Sequence, residues 1–375
     1  MEEGDRPGAA ADLHQTAAYD YTLPPGRVAL HPASPRHSAL LLDATGASCC
    51  DRRVMDLPSL LRGEDVVVVN DVRVTPVRVA LTRVSTGGQV EGFMLGVGGE
   101  GLWQEDAGAP WIALLRSGGR LAAGEVLAHA SGVRFRLDAR DAEGVSRLFP
   151  VETLHDPLRW LDQNAALPLP PYIERERARS GAPALSDADL RDYQTWFASR
   201  PGAVAAPTAS LHFDEVLVAA MAERGIRIHP LTLWVGMGTF RPVSADDLRR
   251  HTMHAERYEI PASTIEAIAA AKRSGGRVLA VGTTVVRALE ASALGSNVAG
   301  MPTVGAGSTD LFITPGFPFR VVDLMLTNFH LPRSTLLAMV SAFAGYERVR
   351  QAYAHALAGT YRFFSYGDAM LLGRA

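Results

Sequence analysis

The sequence predicts an α/β protein that carries an inserted all-β unit. Three observations predict it. First, Val66 to Val69 form a short run of β-branched apolar residues ahead of Asn70-Asp71, the pattern of a buried strand ending at a polar turn. Second, helix-like and strand-like segments alternate after Pro150, which argues for a largely parallel or mixed sheet. Third, the texture changes over residues 77–150. Short alternating runs (VRVALTRV, QVEGFML, WIALLR, EVLAHA, VRFRLDA, VSRLFP) are separated there by Gly-Gly turns at 87–88, 98–99 and 118–119. Helical periodicity is absent, so a small β-barrel or sandwich is expected.

The 375 residues are enough for two domains, or for one large domain with an insertion. Hydrophobic content of 47% and charged content of 21% are those of a soluble globular chain. No apolar run reaches the ~20 residues that span a bilayer. Residues 1–18 are small and polar without a signal-peptide pattern, and are expected to be a disordered tail. Cys49 and Cys50 are neighbours and cannot staple distant segments, which fits a reducing cytoplasm. The formal net charge is −3, so any nucleic-acid contact must be a local patch. Lys272 is the single lysine, and the other basic residues are arginines.

Along the α/β part, DADLRDYQTWFAS reads as a helix. FDEVLVAAMAERG is amphipathic and ends at Gly225, a C-terminal cap. A strand, IHPLTLWVGM, follows. SADDLRRH is expected to begin a helix at Ser244, with Asp247 three residues on. PASTIEAIAAAKRSGG reads as a helix stopping at Gly275, RVLAVGTT as a buried strand, and VVRALEASAL as the helix after it. The stretch PLPPYIERERARSGAPALSDA starts extended on Pro168, Pro170 and Pro171. Its Arg175, Arg177 and Arg179 suit either a solvated loop or an arm touching RNA phosphates.

Chemistry-bearing groups gather where strands turn into helices. In open α/β sheets, ligands lie at strand C-terminal ends, against helix N-termini. Gly282-Thr283-Thr284, with Arg287 one turn on, could receive a carboxylate there. VGMGTF places Gly236 and Gly238 after a strand, with Thr239 following and Phe240 able to stack on a flat ring. No third glycine follows at dinucleotide-fold spacing. His212, His251, His254 and His330 are acid–base candidates near neutral pH. His251, His254 and Glu256 lie close in sequence but do not match H-E-x-x-H, so no metal is expected. Near the C-terminus, LTNFHLPRSTLLAMVSAFAG (residues 326–345) crowds Asn328, His330, Arg333 and Ser334 at the mouth of an apolar helix, with Ser334 or Thr335 as N-cap.

That block, with YRFFSYGDAMLL (361–372), resembles the C-terminal signature of the S-adenosylmethionine:tRNA ribosyltransferase-isomerases of queuosine biosynthesis. So do, in order, DYTLPPGRVALHPASPR, VVVVNDVRVTPVRV, LPLPPYI, YQTWFA, GAVAAPTASLHF, LTLWVGMGTFRPV, HTMHAERYEI and AVGTTVVRALE. The resemblance implies a barrel-like α/β core, residues 19–76 and 151–375, with an inserted β-barrel at 77–150. It implies S-adenosylmethionine as co-substrate without metal, and tRNA as partner of a cytoplasmic monomer or homodimer. The acceptor would be a 7-aminomethyl-7-deazaguanine base. It would receive the rearranged ribosyl group as epoxyqueuosine while adenine and methionine leave. Catalytic roles are implied for His212, His254, His330 and Asp71. Substrate contacts are implied for Arg36, Asn70, Arg73 and Thr208, and for Gly236, Gly238, Thr239 and Phe240. They extend to His251, Glu256, Thr283, Thr284 and Arg287, and to Asn328, Arg333, Ser334, Tyr366 and Asp368.

The chain departs from the family pattern at Leu30, His37, Leu40, Val72, Ser210, Trp234 and Val285, where the family usually has Gln, Asp, Arg, Thr, Gly, His and Ser. Several of these changes remove polar groups, which weakens recognition of a cognate substrate. Three readings stay open from the sequence: the family reaction, a paralogue with another acceptor or none, and a non-catalytic RNA- or ligand-binding relative.

Overall fold

The computed structural model describes residues 12–99, 101–106, 108–141, 144–236 and 245–375. Its strands are β1 (Leu40–Ala44), β2 (Cys50–Arg53), β3 (Val66–Asn70), β4 (Val72–Val74), β5 (Arg78–Arg83), β6 (Gln89–Val97), β7 (Trp111–Ser117), β8 (Val126–His129) and β9 (Arg134–Arg140). They continue with β10 (Val145–Pro150), β11 (Arg200–Ala203), β12 (Arg227–Leu233), β13 (Glu256–Ile260), β14 (Val278–Val281), β15 (Gly305–Thr309), β16 (Leu324–Asn328) and β17 (Ala369–Gly373). The helices are α1 (Leu57–Leu60), α2 (Pro157–Asn164), α3 (Pro171–Ser180), α4 (Asp189–Asp192), α5 (Glu215–Glu223), α6 (Ala262–Arg273), α7 (Thr283–Leu294), α8 (Thr335–Ala344) and α9 (Tyr346–Ala358).

The core is a nine-stranded mixed sheet in the order β15-β13-β12-β3-β14-β16-β17-β1-β2. Its centre, β12-β3-β14-β16, is parallel throughout. All five residues of β3 are buried, because helices cover both faces of the sheet. Val66 and Val68 join one apolar cluster with Ile268 of α6 and Leu289 of α7. Val67 and Val69 join another with Leu57 of α1 and Leu217 of α5. The period-two alternation of a strand thus accounts for the unbroken valine run.

Six antiparallel strands, β10-β7-β6-β5-β8-β9, close into a barrel between Arg78 and Pro150. Closure leaves no unpaired sheet edge. Val79, Leu81, Met94, Phe135, Leu137 and Leu148 fill the interior. Trp160 of α2 meets Trp111 and Phe135 edge-on, each at 5.7 Å between ring centroids.

Several expectations need correction. Residues 12–18 pack against the core: the Thr16 N–H donates to the Asp246 carbonyl at 2.8 Å, and Leu248 N–H to His14 carbonyl at 2.8 Å. Residues 1–11 lie outside the described residues. The ERERAR stretch is helix α3, not an extended arm. Arg177 is buried in a two-pronged ion pair with Asp189 at 2.6 and 2.7 Å, while Arg175 and Arg179 stay exposed. DADLRDYQTWFAS keeps one helical turn, α4. At SADDLRRH only a 3₁₀ turn, Leu248–Arg250, forms behind an Asp247 cap, and Ser244 lies outside the described residues. The stops at Gly225 and Gly275 hold, with φ of +74° and +76°. Among the described residues no helix is long and apolar enough to cross a membrane.

Candidate active site at the parallel strand ends

The four parallel strands end along one edge, and polar side chains collect there because backbone pairing stops. Residues 203–213 run across this edge. Val204 N–H donates to Val235 carbonyl beyond β12 at 3.0 Å, and a 3₁₀ turn, Thr208–His212, packs on the end of β16. Asn328, the last residue of β16, ties the edge together. Its Oδ1 accepts from the Thr208 hydroxyl at 2.9 Å. Its Nδ2 donates to the Phe364 carbonyl at 3.2 Å and faces His212 Nε2 at 3.4 Å. With that amide orientation, His212 Nε2 is the acceptor and the ring proton sits on Nδ1. Phe364 holds its carbonyl there with φ +72°, a costly conformation for a bulky side chain.

Burial, reinforced by the Arg362 and Arg36 guanidiniums, pushes the His212 imidazole down to about 3. His330 is pushed down to about 4 by burial alone. Its Nε2 lies 2.7 Å from the Thr327 hydroxyl. Its backbone is pinned by Tyr353, whose hydroxyl accepts the His330 N–H at 2.7 Å, and by Tyr21, which donates to the carbonyl at 2.6 Å. Both rings are therefore neutral near pH 7.

A second cluster adjoins the first through α7. Gly282, with φ +95°, starts this helix and donates its N–H to Leu326 carbonyl of β16 at 2.8 Å. A side chain there would meet Ala209 of the 3₁₀ turn at 3.7 Å. Thr283 and Thr284 open the first turn. The hydroxyls of Thr284 and Ser210 are buried and have no hydrogen-bond partner among the described residues. One turn on, Arg287 is buried against Glu256 in an ion pair and donates to Leu311 carbonyl at 3.3 Å. Glu256 also accepts the Gly236 N–H at 3.1 Å.

The structure thus gathers Thr208, His212, Gly236, Glu256, Thr283, Thr284, Arg287, Asn328 and His330 along this edge. Other expected site residues make structural contacts. Asn70 is fully buried and clips β3 to β12 through Leu233 N–H, Leu233 carbonyl and Val72 N–H. Asp71 accepts from Thr232 and Ser199 hydroxyls at 2.7 and 3.0 Å. Arg36 donates to backbone carbonyls, Gln194 at 2.8 Å and Leu211 at 3.3 Å among them. Arg73 pairs with Asp162 at 3.3 Å, and Arg333 with Asp20 at 2.7 Å on the surface. Ser334 is the N-cap of α8, accepting Leu337 N–H at 3.2 Å. Tyr366 lies 3.5 Å from Asp189 beside the buried Arg177 pair. Asp368 accepts the N–H groups of Leu40 and Arg362 at 3.0 and 2.7 Å. His251 stacks edge-on against Phe312 at 5.6 Å, and His254 is exposed. Gly238, Thr239 and Phe240 lie outside the described residues.

The residues that depart from the family pattern differ in their surroundings. Val72 and Val285 are fully buried. His37 pairs with Asp214 at 2.7 Å. Trp234 is half-buried, and its indole N–H donates to Pro201 carbonyl at 2.9 Å. One partner on the edge escaped the sequence reading: the Phe364 carbonyl. A positive φ at a phenylalanine has no sequence signal. Among the described residues, no group of three or more His, Cys, Asp or Glu side chains is arranged to hold a metal ion.

Known proteins are similar to this chain along nearly their whole length. Relatives named S-adenosylmethionine:tRNA ribosyltransferase-isomerase include one from Azoarcus sp. (strain BH72), 46% identical over 95% of this chain and 96% of its own. Another, from Acidiphilium cryptum (strain JF-5), is 46% identical over 96% and 99%. The crystal structure of S-adenosylmethionine tRNA ribosyltransferase from Thermotoga maritima is similar with a TM-score of 0.50 at 27% identity, covering 94% of this chain and 99% of that one. The family described as queuosine biosynthesis protein matches residues 16–372, and this chain belongs to it.

Proposed function

We propose that this protein transfers the ribosyl part of S-adenosylmethionine to the 7-aminomethyl-7-deazaguanine base of tRNA in the cytoplasm. The group is rearranged to the epoxycyclopentanediol of epoxyqueuosine, and adenine and methionine are released. The observation that carries this reading is the uncharged chain Thr208–Asn328–His212 at the end of β16. A sulfonium substrate is a cation, and protonated histidines at its site would repel it. Burial keeps His212 and His330 neutral, so the cation meets polar groups of no net charge. The sulfonium acidifies its neighbouring C5′ hydrogens. A base must take one of them, and a donor must meet adenine as it departs. Each neutral imidazole carries one ring N–H, a donor for the departing adenine that needs no prior deprotonation.

The methionine end suits the start of α7. The first turn of a helix leaves backbone N–H groups free for a carboxylate. The unpartnered hydroxyls of Thr284 and Ser210 supply further donors. The buried Glu256–Arg287 pair supports the adjoining wall at Gly236. The substrate brings its own electrophile and leaving groups, so the protein's work is placement and charge arrangement.

The test is adenine release from S-adenosylmethionine, measured by chromatography with and without precursor tRNA. Release that requires the tRNA is expected, together with a rise in melting temperature on adding S-adenosylmethionine. Release independent of tRNA would favour a small-molecule acceptor or none. No release and no melting shift at millimolar ligand would overturn the proposal.

A further inference from the structure

We propose that Arg200 and Arg257, held on the ring of Trp234, form a phosphate clamp for the RNA strand that brings the acceptor base to the strand ends; this rests on the function proposed above. Strand β13 divides its side chains by face. Glu256 points inward to Gly236 and Arg287, and the next residue, Arg257, is exposed. The Arg257 guanidinium carbon lies 5.4 Å from the Trp234 ring centroid. The Arg200 guanidinium of β11 lies 5.6 Å from the same ring. One indole therefore anchors two cations drawn from different strands, within the range of a cation–π contact.

The pedestal is fixed. Its indole N–H is held by Pro201 carbonyl at 2.9 Å, and its backbone N–H by Arg257 carbonyl at 3.0 Å. Its edge abuts Gly202, where a Cβ would sit 3.1 Å from Trp234 Cδ1 and 2.6 Å from Nε1 of Trp103, which comes from the barrel. Trp103 in turn donates to Gly202 carbonyl at 3.4 Å. The clamp thus lies on the seam between barrel and sheet, two residues along the chain from Gly236 of the candidate site.

Charge bookkeeping selects the partner. Glu259 pairs with Arg200 at 2.8 Å. Arg257 has no carboxylate partner among the described residues, in a chain of net charge −3. With Glu259 on Arg200, the guanidinium left for an external anion is that of Arg257. A phosphodiester presents two oxygens that match the guanidinium fork. Arginines combined with aromatic side chains are the usual means of gripping a single strand.

The experiment measures equilibrium binding of precursor tRNA by the full chain across a salt series, with the S-adenosylmethionine melting shift as control. For Arg257→Ala, the slope of log K against log salt should shrink by about 0.7, a roughly fourfold loss of affinity at about 0.15 M salt for one phosphate contact on a single strand. Arg257→Lys should restore most of the slope. Trp234→Phe should keep tRNA binding near wild type, and Trp234→Ala should lower it, each with an unchanged melting shift. Wild-type slope and affinity in Arg257→Ala would overturn the clamp alone. A wild-type protein that binds S-adenosylmethionine but no tRNA would overturn the proposed function and the clamp with it.

Discussion

Inside the barrel, Val79, Leu81, Met94, Phe135 and Leu148 are almost completely buried, and among the described residues Ser146 is the only buried polar side chain of its strands. At the parallel strand ends the buried set is Asn70, Ser210, His212, Glu256, Thr283, Arg287, Thr327 and Asn328. Both regions exclude water. The barrel does so with side chains that gain from leaving it. The edge does so with groups that lose hydration and mostly recover it through specific partners, the Ser210 hydroxyl having none among the described residues. The comparison teaches where each region is fragile. Volume matters in the barrel, and hydrogen-bond geometry matters at the edge.

The largest effect should come from the barrel. Phe135→Ala removes a fully buried ring that meets Trp111 at 5.2 Å, and should cost about 3–5 kcal/mol of unfolding free energy. Urea titration measures the loss. The S-adenosylmethionine melting shift should persist, and its disappearance would show that barrel packing and edge chemistry are not separable. Asn328→Ala should do the opposite. Its stability cost should be about 1–3 kcal/mol, from leaving Thr208 and Phe364 carbonyl without their partner, while adenine release should fall far more steeply than stability. Loss of both in proportion would reduce Asn328 to a structural clip like Asn70.

Another effect concerns pH. Folded His212 titrates at about 3 against an ordinary 6.5, so below about pH 6.5 the unfolded chain takes up a proton that the folded chain refuses. Stability should therefore fall as pH drops from 6.5 toward 3, with a slope of about 1.4 kcal/mol per pH unit from this ring. The difference in slope between wild type and His212→Asn measures it, and equal slopes would mean that the ring is solvated. Smallest is Ser334→Ala, which removes the cap of α8 at a cost of about 1 kcal/mol, read as a slightly lower urea midpoint with unchanged tRNA-dependent release.

What could be read from sequence was whatever depends on near neighbours. The valine run of β3, the barrel's alternation, the Ser334 cap and the glycine stops of α5 and α6 are each fixed within a few residues. The two-sided burial of β3 follows from such patterns too. The misreadings have one physical cause: a polar residue's partner can lie far along the chain. Arg177 looked solvent-bound in ERERAR because Asp189 and the Leu30 carbonyl, which hold it, are invisible locally. The carbonyl partners of Arg36, from residues 191–211, are just as distant along the chain. In the same way His212 meets Asn328 only once β16 has met the 3₁₀ turn.

The place of β17 in the sheet has a consequence for how the protein is made. This strand, last in chain order, lies between β16 and β1 and pairs with both. The hairpin β1–β2 is synthesised early, yet it joins the rest of the sheet only through β17. During translation it must wait, its apolar Leu41 and Leu42 without their final neighbours, until residues 369–373 leave the ribosome. Completion of the sheet is thus a late, long-range closure. A ribosome stalled shortly before that strand would leave an unfinished sheet with two open strand edges, a ready substrate for chaperones and proteases.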